Sequence, residues 1–390
     1  MKICACVAEY NPFHLGHVRH IRYMKEDLGF DRVIAVMSGN FTQRGEPAAA
    51  DKFARAKWAV LGGADLVIEL PTVFASANAE LFASGAVTLI DALHTAQGLC
   101  FGAESGSAEE FLTAARALMT ESKDFQKAIR RQLDTGVSHA AARLAAVREL
   151  GIEGVDPALT ETPNNILGLE YCKRLVRLKS ELAVFPLLRE NTHNDGQLKR
   201  GVTSATSIRG ALARGEKRKL KRCVPPYVYR DLPKFLPDFD KMILSRLFSA
   251  PAEEMRGILD CTEGLENRIK ALIKDNLVYS AALDKIATKR YTYARIRRIC
   301  IANLLGIQES LVREALESRL YANVLAVRAD ATDLLALVRR NASVPVLTRK
   351  SDFSVLEKTA QRAMEKDILA NDLYNLASGR RTNEYQMLTV

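Results

Sequence analysis

Short apolar runs and longer periodic stretches alternate through the first half of the chain. Ile3 to Val7, Arg32 to Met37 (RVIAVM), Ala64 to Leu70 (ADLVIEL), Leu99 to Phe101 and Phe185 to Leu188 are runs of strand length, closed by turn formers such as Ser38, Gly39 and Asn40, Pro71, and Gly102. Runs of this kind predict buried strands. Asp51 to Leu61 and Ala77 to Leu93 lie between them and have the length that a right-handed crossover helix needs. The pattern predicts an α/β fold with a doubly wound, Rossmann-like parallel sheet, whose ligands bind at the carboxyl ends of the strands.

Ala108 to Leu150 reads as helical, with alternating charge and alanine, and Thr162 to Leu175 as a helix opening at Pro163. Past Pro225 and Pro226 the alternation stops. Lys241 to Leu320 is mostly helical, Val324 to Val327 and Val344 to Leu347 add small strands, and Asp367 to Leu376 is a terminal helix. The expected division is therefore an α/β domain over 1–210 and a mainly helical domain over 211–390.

Composition narrows the class. The chain has 390 residues, 48% of them apolar, and seven cysteines scattered without a CxxC pair. That usage fits thiols serving as small core residues in a reducing compartment. With no secretory pattern and no apolar run of membrane-spanning length, a cytoplasmic protein without membrane contact is expected. The formal charge of +10 favours a polyanionic partner such as nucleic acid.

The candidate chemistry centres on Val7 to His20, VAEYNPFHLGHVRH, which runs from the first strand into a helix. Val7 and Ala8 end the strand, Glu9, Tyr10, Asn11, Pro12 and Phe13 form the turn, and Val18, Arg19 and His20 continue the helix. A helix N-terminus behind a strand offers backbone N–H groups and a positive dipole end to a phosphate. Gly16 removes a side chain where a phosphate would approach. His14 and His17, on either side of Leu15 and Gly16, are spaced to project together at the first turn. A metal site is the second reading, but HxGH lacks the spacing of a helical zinc pair and no cysteine cluster adds ligands.

Other loops fall at the same sheet edge. Gln43, Arg44, Asn78, Glu104 and Ser105 are candidates to line one pocket, and Asn164 and Asn165 stand at another helix start. Arg189, Asn191 and His193 follow the last strand. Ser204, Thr206, Ser207 and Arg209 precede or open a helix expected near Ile208, which makes a second phosphate-gripping element. Two basic stretches follow. One holds Lys217, Arg218, Lys219, Lys221 and Arg222; the other holds Lys289, Arg290, Arg295, Arg297 and Arg298 with Tyr291 and Tyr293 between them. Cations interleaved with aromatic rings suit RNA, whose phosphates and unpaired bases they would meet.

The ordered set EYNPFHLGH, SGNFTQRGEPA, GADLVIELP, FGAESG, PNNILGLEY and SATSIR resembles the bacterial tRNA(Met) cytidine acetate ligases, with a weaker match through RYTYARIRRI to the C-terminal region. HxGH alone would indicate only the broader nucleotidyltransferase superfamily. One departure is Leu15, where Asn is commoner in that family. The resemblance implies a HIGH-type catalytic domain over 1–210 and a tRNA-binding domain over 211–390. It implies activation of acetate by ATP, then acetyl transfer to N4 of the wobble cytidine of elongator tRNA(Met). It maps ATP onto Val7 to His20, Gly102, Asn165 and Arg189. His14 and His17 would act at the α-phosphate, and Arg209 with the three hydroxyls would hold the β and γ phosphates. Magnesium is expected to accompany ATP, although no carboxylate marks itself as its ligand, and the small acetate pocket is expected near Glu9, Tyr10 or Asn40. Other readings are adenylylation of another small acid or of a phosphorylated metabolite, and a non-catalytic RNA-binding protein.

Overall fold

A computed structural model describes residues 1–119, 122–189 and 203–390. Asn191 and His193 lie outside the described residues. Five parallel strands carry the first half: β1 (Ile3–Ala8), β2 (Arg32–Ser38), β3 (Leu66–Leu70), β4 (Gly98–Ala103) and β5 (Ala183–Leu188), in the order β5-β4-β1-β2-β3. The runs of β1 to β4 are mainly apolar because both faces are covered, whereas the edge strand β5 is half-buried to exposed. Ile3, Ala5, Ile34 and Val36 point into one core and Cys4, Cys6, Val33 and Ala35 into the other. All seven cysteines are free and buried, as small core residues. Strand order reverses between β1 and β4, so the crevice that a doubly wound sheet offers a ligand opens there.

The helices follow local signals. Lys52–Leu61 is capped by Asp51, whose carboxylate accepts from Ala54 N at 2.8 Å, and Ala79–Ala92 by Asn78, which accepts from Leu81 N at 3.1 Å. The Ala108–Leu150 stretch is broken into Ala108–Met119, Lys123–Asp134 and His139–Leu150, with Ser122 and Ser138 as caps of the last two. The terminal helix spans Lys358–Ser378, a turn or more longer at its N-terminal side than the apolar pattern suggested, because small Ala360 and Ala363 carry the buried face there.

The sheet crosses the 210/211 division. β6 (Ala322–Val327) pairs antiparallel with β3, and the short β7 (Val346–Leu347) and β8 (Leu388–Thr389) pair parallel with β6, making an eight-stranded mixed sheet. Buried charge ties the two regions together. Lys52 Nζ lies 2.7 Å from Glu69 and bonds Glu384, Asn323 donates to Glu69 at 2.8 Å, and Asp65 receives Lys25, Arg32 and Arg328. Among the described residues no helix is long and apolar enough to cross a membrane.

Candidate active site

The turn after β1 folds back on itself before α1 (Leu15–Arg22) begins. His14 is the N-cap, and its Nδ1 accepts from Gly16 N at 3.0 Å; His17 Nδ1 accepts from His14 N at 3.2 Å. The two histidines thus form a reciprocal capping box, with imidazoles in place of a hydroxyl and a carboxylate. A Cβ on Gly16 would sit 2.9 Å from His14 Cε1. The space that glycine leaves is filled by the His14 ring, whereas the sequence pattern assigned that space to a phosphate. The rings stack at 3.8 Å and 23°, on one side of the site, with Tyr10 and Phe13 edge-on or tilted against His17.

Because each Nδ1 is an acceptor, the hydrogen-bond pattern puts the proton of each neutral imidazole on Nε2. Neutrality follows from burial. Desolvation, with the Arg189 guanidinium adding repulsion, lowers His14 to about 3 and His20 to about 4, and His17 is driven well below its ordinary value by burial and then by its closeness to His14, His20 and Arg189, which disfavours a further positive charge. His20 Nε2 faces Cys100 Sγ at 3.2 Å. The pair is therefore a rigid set of two uncharged N–H donors at a helix N-terminus.

A cavity of about 1060 Å³ opens over the strand ends. Its wall includes Val7, Ala8, Glu9, Tyr10, Asn11, His14, Gly16, His17, Arg19 and His20 from the first turn, and Gly102 and Arg189 from the β4 and β5 ends. Pro12, Phe13, Leu15 and Val18 are not part of that wall; Phe13 is fully buried beneath the turn. Gln43, Arg44 and Asn78 do line it. Glu104, Ser105 and Asn165 stand behind it. Asn165 is fully buried, its Oδ1 accepts from Glu104 N at 2.9 Å, and its Nδ2 donates to Ser105 Oγ at 2.8 Å. This asparagine holds the β4 loop in shape. Asn40, expected near acetate, is buried too, accepting from Lys52 N and donating to Asn371.

The Ala205–Ala213 helix starts three residues before Ile208 because Ser204 caps it, accepting from Ser207 N at 3.2 Å. Thr203, Ser204 and Ala205 face the cavity. Ser207 is buried against Ser204, and Thr206 is exposed. Arg209 donates to the Asn11 carbonyl at 2.8 Å and lies 3.6 Å from Glu46, so it clasps the first turn from outside.

Sequence reasoning missed Arg55. Fully buried in the Lys52–Leu61 helix, it donates to the carbonyls of Glu9 at 2.7 Å, Ser38 at 3.0 Å, Ala50 at 2.9 Å and Gly39. It thereby fixes the ends of β1 and β2. The available signal was an arginine amid the alanines and aromatics of FARAKWAV.

The two basic stretches part company. Arg218, Lys219, Lys221 and Arg222 are exposed on a short 3₁₀ segment, with Lys219 paired to Glu216 at 2.8 Å and Lys217 folded onto the Leu232 carbonyl. In the second stretch Lys289 is exposed, but the four arginines are half-buried and paired. Arg290 pairs with Glu263, Arg295 donates to the Asp260 carbonyl and Thr262, Arg297 pairs with Glu46, and Arg298 lies 3.4 Å from Asp260. Tyr291 packs against the core beneath Arg295, and Tyr293 is exposed.

Among the described residues no three His, Cys, Asp or Glu side chains gather as metal ligands, and the Glu9 carboxylate already accepts from Gln43 N at 2.9 Å. A magnesium ion bound to the phosphates of ATP would belong to the substrate.

A doubly wound sheet with a paired-histidine turn at its switch point defines a HIGH-type nucleotidyl transferase, and residues 1–387 match the family described as HIGH Nucleotidyl Transferase. The tRNA(Met) cytidine acetate ligase of Acetivibrio thermocellus is 34% identical over 96% of this chain and 94% of its own, and that of Caldanaerobacter subterraneus subsp. tengcongensis is 36% identical over 97% and 96%. The crystal structure of Thermotoga maritima TmcAL bound with alpha-thio ATP is 29% identical, covers both chains completely and superposes with a TM-score of 0.90. The chain belongs to the tRNA(Met) cytidine acetate ligase family.

Proposed function

We propose that this protein forms acetyl-adenylate from acetate and ATP and transfers the acetyl group to N4 of the wobble cytidine of elongator tRNA(Met). The observation that carries this reading is the stacked His14–His17 pair with both Nε2–H groups set by backbone amides. In the first step an acetate oxygen attacks the α-phosphorus, the bond from that phosphorus to the bridging oxygen breaks, and pyrophosphate leaves. Charge grows on the phosphoryl oxygens, and donors fixed beforehand stabilise it without reorganisation. Neutral imidazoles suit this task because they keep their N–H protons across the physiological range.

The N-terminus of the Ala205–Ala213 helix, with Ser204, adds a second set of donors for the β and γ phosphates, with Thr206, Ser207 and Arg209 in support. Arg209 acts on the turn through the Asn11 carbonyl. Gly102 and Arg189 bound the nucleotide on the β4 and β5 side, and Asn165 supports that side from behind. Magnesium enters with ATP as part of the substrate. In the second step the cytidine amine attacks the acetyl carbonyl, the carbon–oxygen bond to AMP breaks, and one amine proton passes to solvent. The exposed Arg218, Lys219, Lys221 and Arg222 meet the tRNA backbone.

The first half is tested by exchange of labelled pyrophosphate into ATP. Exchange that depends on acetate supports the reading; exchange equally fast without acetate overturns it.

A further inference from the structure

The cavity wall extends beyond the residues assigned to the nucleotide. Sheet order puts the HxGH turn, Gly102 and Arg189 on the β1, β4 and β5 side, whereas Asn78, which follows β3, lies on the other. Beyond Asn78 the wall passes to the helical half, where the loop 259–263 and the Tyr293–Leu305 helix close it. That helix packs against the sheet half at backbone distance: a Cβ on Gly45 would lie 2.3 Å from Arg298 N. The two halves of the cavity therefore meet at a fixed seam.

Asp260 stands at that seam in an uncommon conformation. Its φ of +64° is left-handed, and Glu263 (+61°) and Gly264 (+76°) share that region in the same loop. Side chains other than glycine rarely adopt it, and where they do a functional constraint is a common cause. Three arginines hold the loop: Arg290 on the Glu263 carboxylate, Arg295 on the Asp260 carbonyl at 3.0 Å and Thr262 Oγ1 at 2.8 Å, and Arg298 on the Asp260 carboxylate. Among the described residues the Asp260 carboxylate receives two long contacts, Asn78 Nδ2 at 3.2 Å and Arg298 Nη2 at 3.4 Å, and its side chain keeps 24% of its surface exposed. A carboxylate accepts about four hydrogen bonds, so it retains capacity for an incoming N–H donor. Arg298 Nε is covered and has no hydrogen-bond partner among the described residues.

We infer that Asp260, flanked by Arg298, receives the acceptor base: a cytosine edge, whose amine donates to the carboxylate while its ring nitrogen and carbonyl face the guanidinium. The inference rests on the acetyl-transfer reading above. An amine donor beside two acceptors complements a carboxylate beside a cation, whereas uracil presents a carbonyl where cytosine has the amine and meets the carboxylate unfavourably. The base then enters over the β2 and β3 side, next to the nucleotide and not in its place.

Asp260→Asn tests this with the fold preserved, because asparagine tolerates the left-handed conformation and keeps the shape. The assays are acetate-dependent pyrophosphate exchange without tRNA, acetyl transfer to a tRNA(Met) transcript, and binding competition between transcripts with cytidine or uridine at the wobble position. The wild type should prefer the cytidine transcript by about tenfold or more. In D260N, transfer should fall by about tenfold or more and the preference should shrink to within about threefold, because an amide also donates to the uracil carbonyl. Exchange should continue with an unchanged KM for ATP. An intact preference in D260N overturns the inference, and so does a raised KM for ATP in exchange, which would place adenine at Asp260. A wild type that shows no acetate-dependent exchange refutes the functional reading itself.

Discussion

Two backbone amides decide which ring nitrogen of His14 and of His17 carries the proton. Gly16 N–H and His14 N–H occupy the two Nδ1 atoms, so each neutral ring carries its proton on Nε2, the donor that the proposed mechanism directs at the α-phosphate. Removing one such donor costs about 100- to 1000-fold in rate. His17→Ala should therefore slow pyrophosphate exchange by about that factor while tRNA binding, measured by filter retention, is kept. Burial makes a second prediction. A histidine whose folded pKa is depressed contributes stability that is fully present above its unfolded value, about 6.5, and is lost as pH falls toward the folded value. With His14 at about 3 and His20 at about 4, thermal stability should decline steadily between about pH 6.5 and 4.5. The ring resonances of His14, His17 and His20 should not titrate between about pH 5.5 and 8; a resonance moving near pH 6.5 would remove the neutral-donor account. The pair itself was legible from HxGH spacing. Its stacking was not, since that depends on a ring folding into the space over Gly16.

At the scale of elements, the turns after β1 and β2 keep their places through the Lys52–Leu61 helix. Its Arg55 has no acidic partner within salt-bridge distance among the described residues and spends its donors on carbonyls at the ends of β1 and β2. Leaving buried acceptors unsatisfied costs about 1–3 kcal/mol each. Arg55→Met should lower unfolding stability in urea by about 3 kcal/mol or more, with pyrophosphate exchange falling as well. A variant of unchanged stability would show that this anchor is dispensable. Strands β1 to β4 could be read from their apolar runs because both faces of the sheet are buried there, and the half-buried edge strand β5 from its own short apolar run. Arg55, Asn165 and Asn40 could not be placed, because a polar residue in a helix or loop looks the same in sequence whether it meets solvent or distant carbonyls.

Over the whole molecule, the C-terminal half returns to the sheet through β6 and through the contacts of Lys52 with Glu69 and Glu384. Pairing across more than 250 residues leaves no local trace, so the small strands were legible but their partner was not. The same holds for the basic stretches. Charge alone marked both, yet only the Lys217–Arg222 segment remains mostly exposed, while the arginines of the other brace the cavity seam. Replacing Lys219, Lys221 and Arg222 together by alanine should weaken tRNA binding and reduce the slope of log affinity against log salt by about 2 to 3; an unchanged slope would move the RNA to another face. The central claim is that one composite cavity activates acetate and delivers it to RNA. The most direct measurement is incubation with ATP, labelled acetate and unmodified elongator tRNA(Met), followed by nuclease digestion and identification of the labelled nucleoside. The account predicts label in N4-acetylcytidine at the wobble position, dependent on ATP; ATP-dependent label elsewhere in the tRNA, or none, would contradict it.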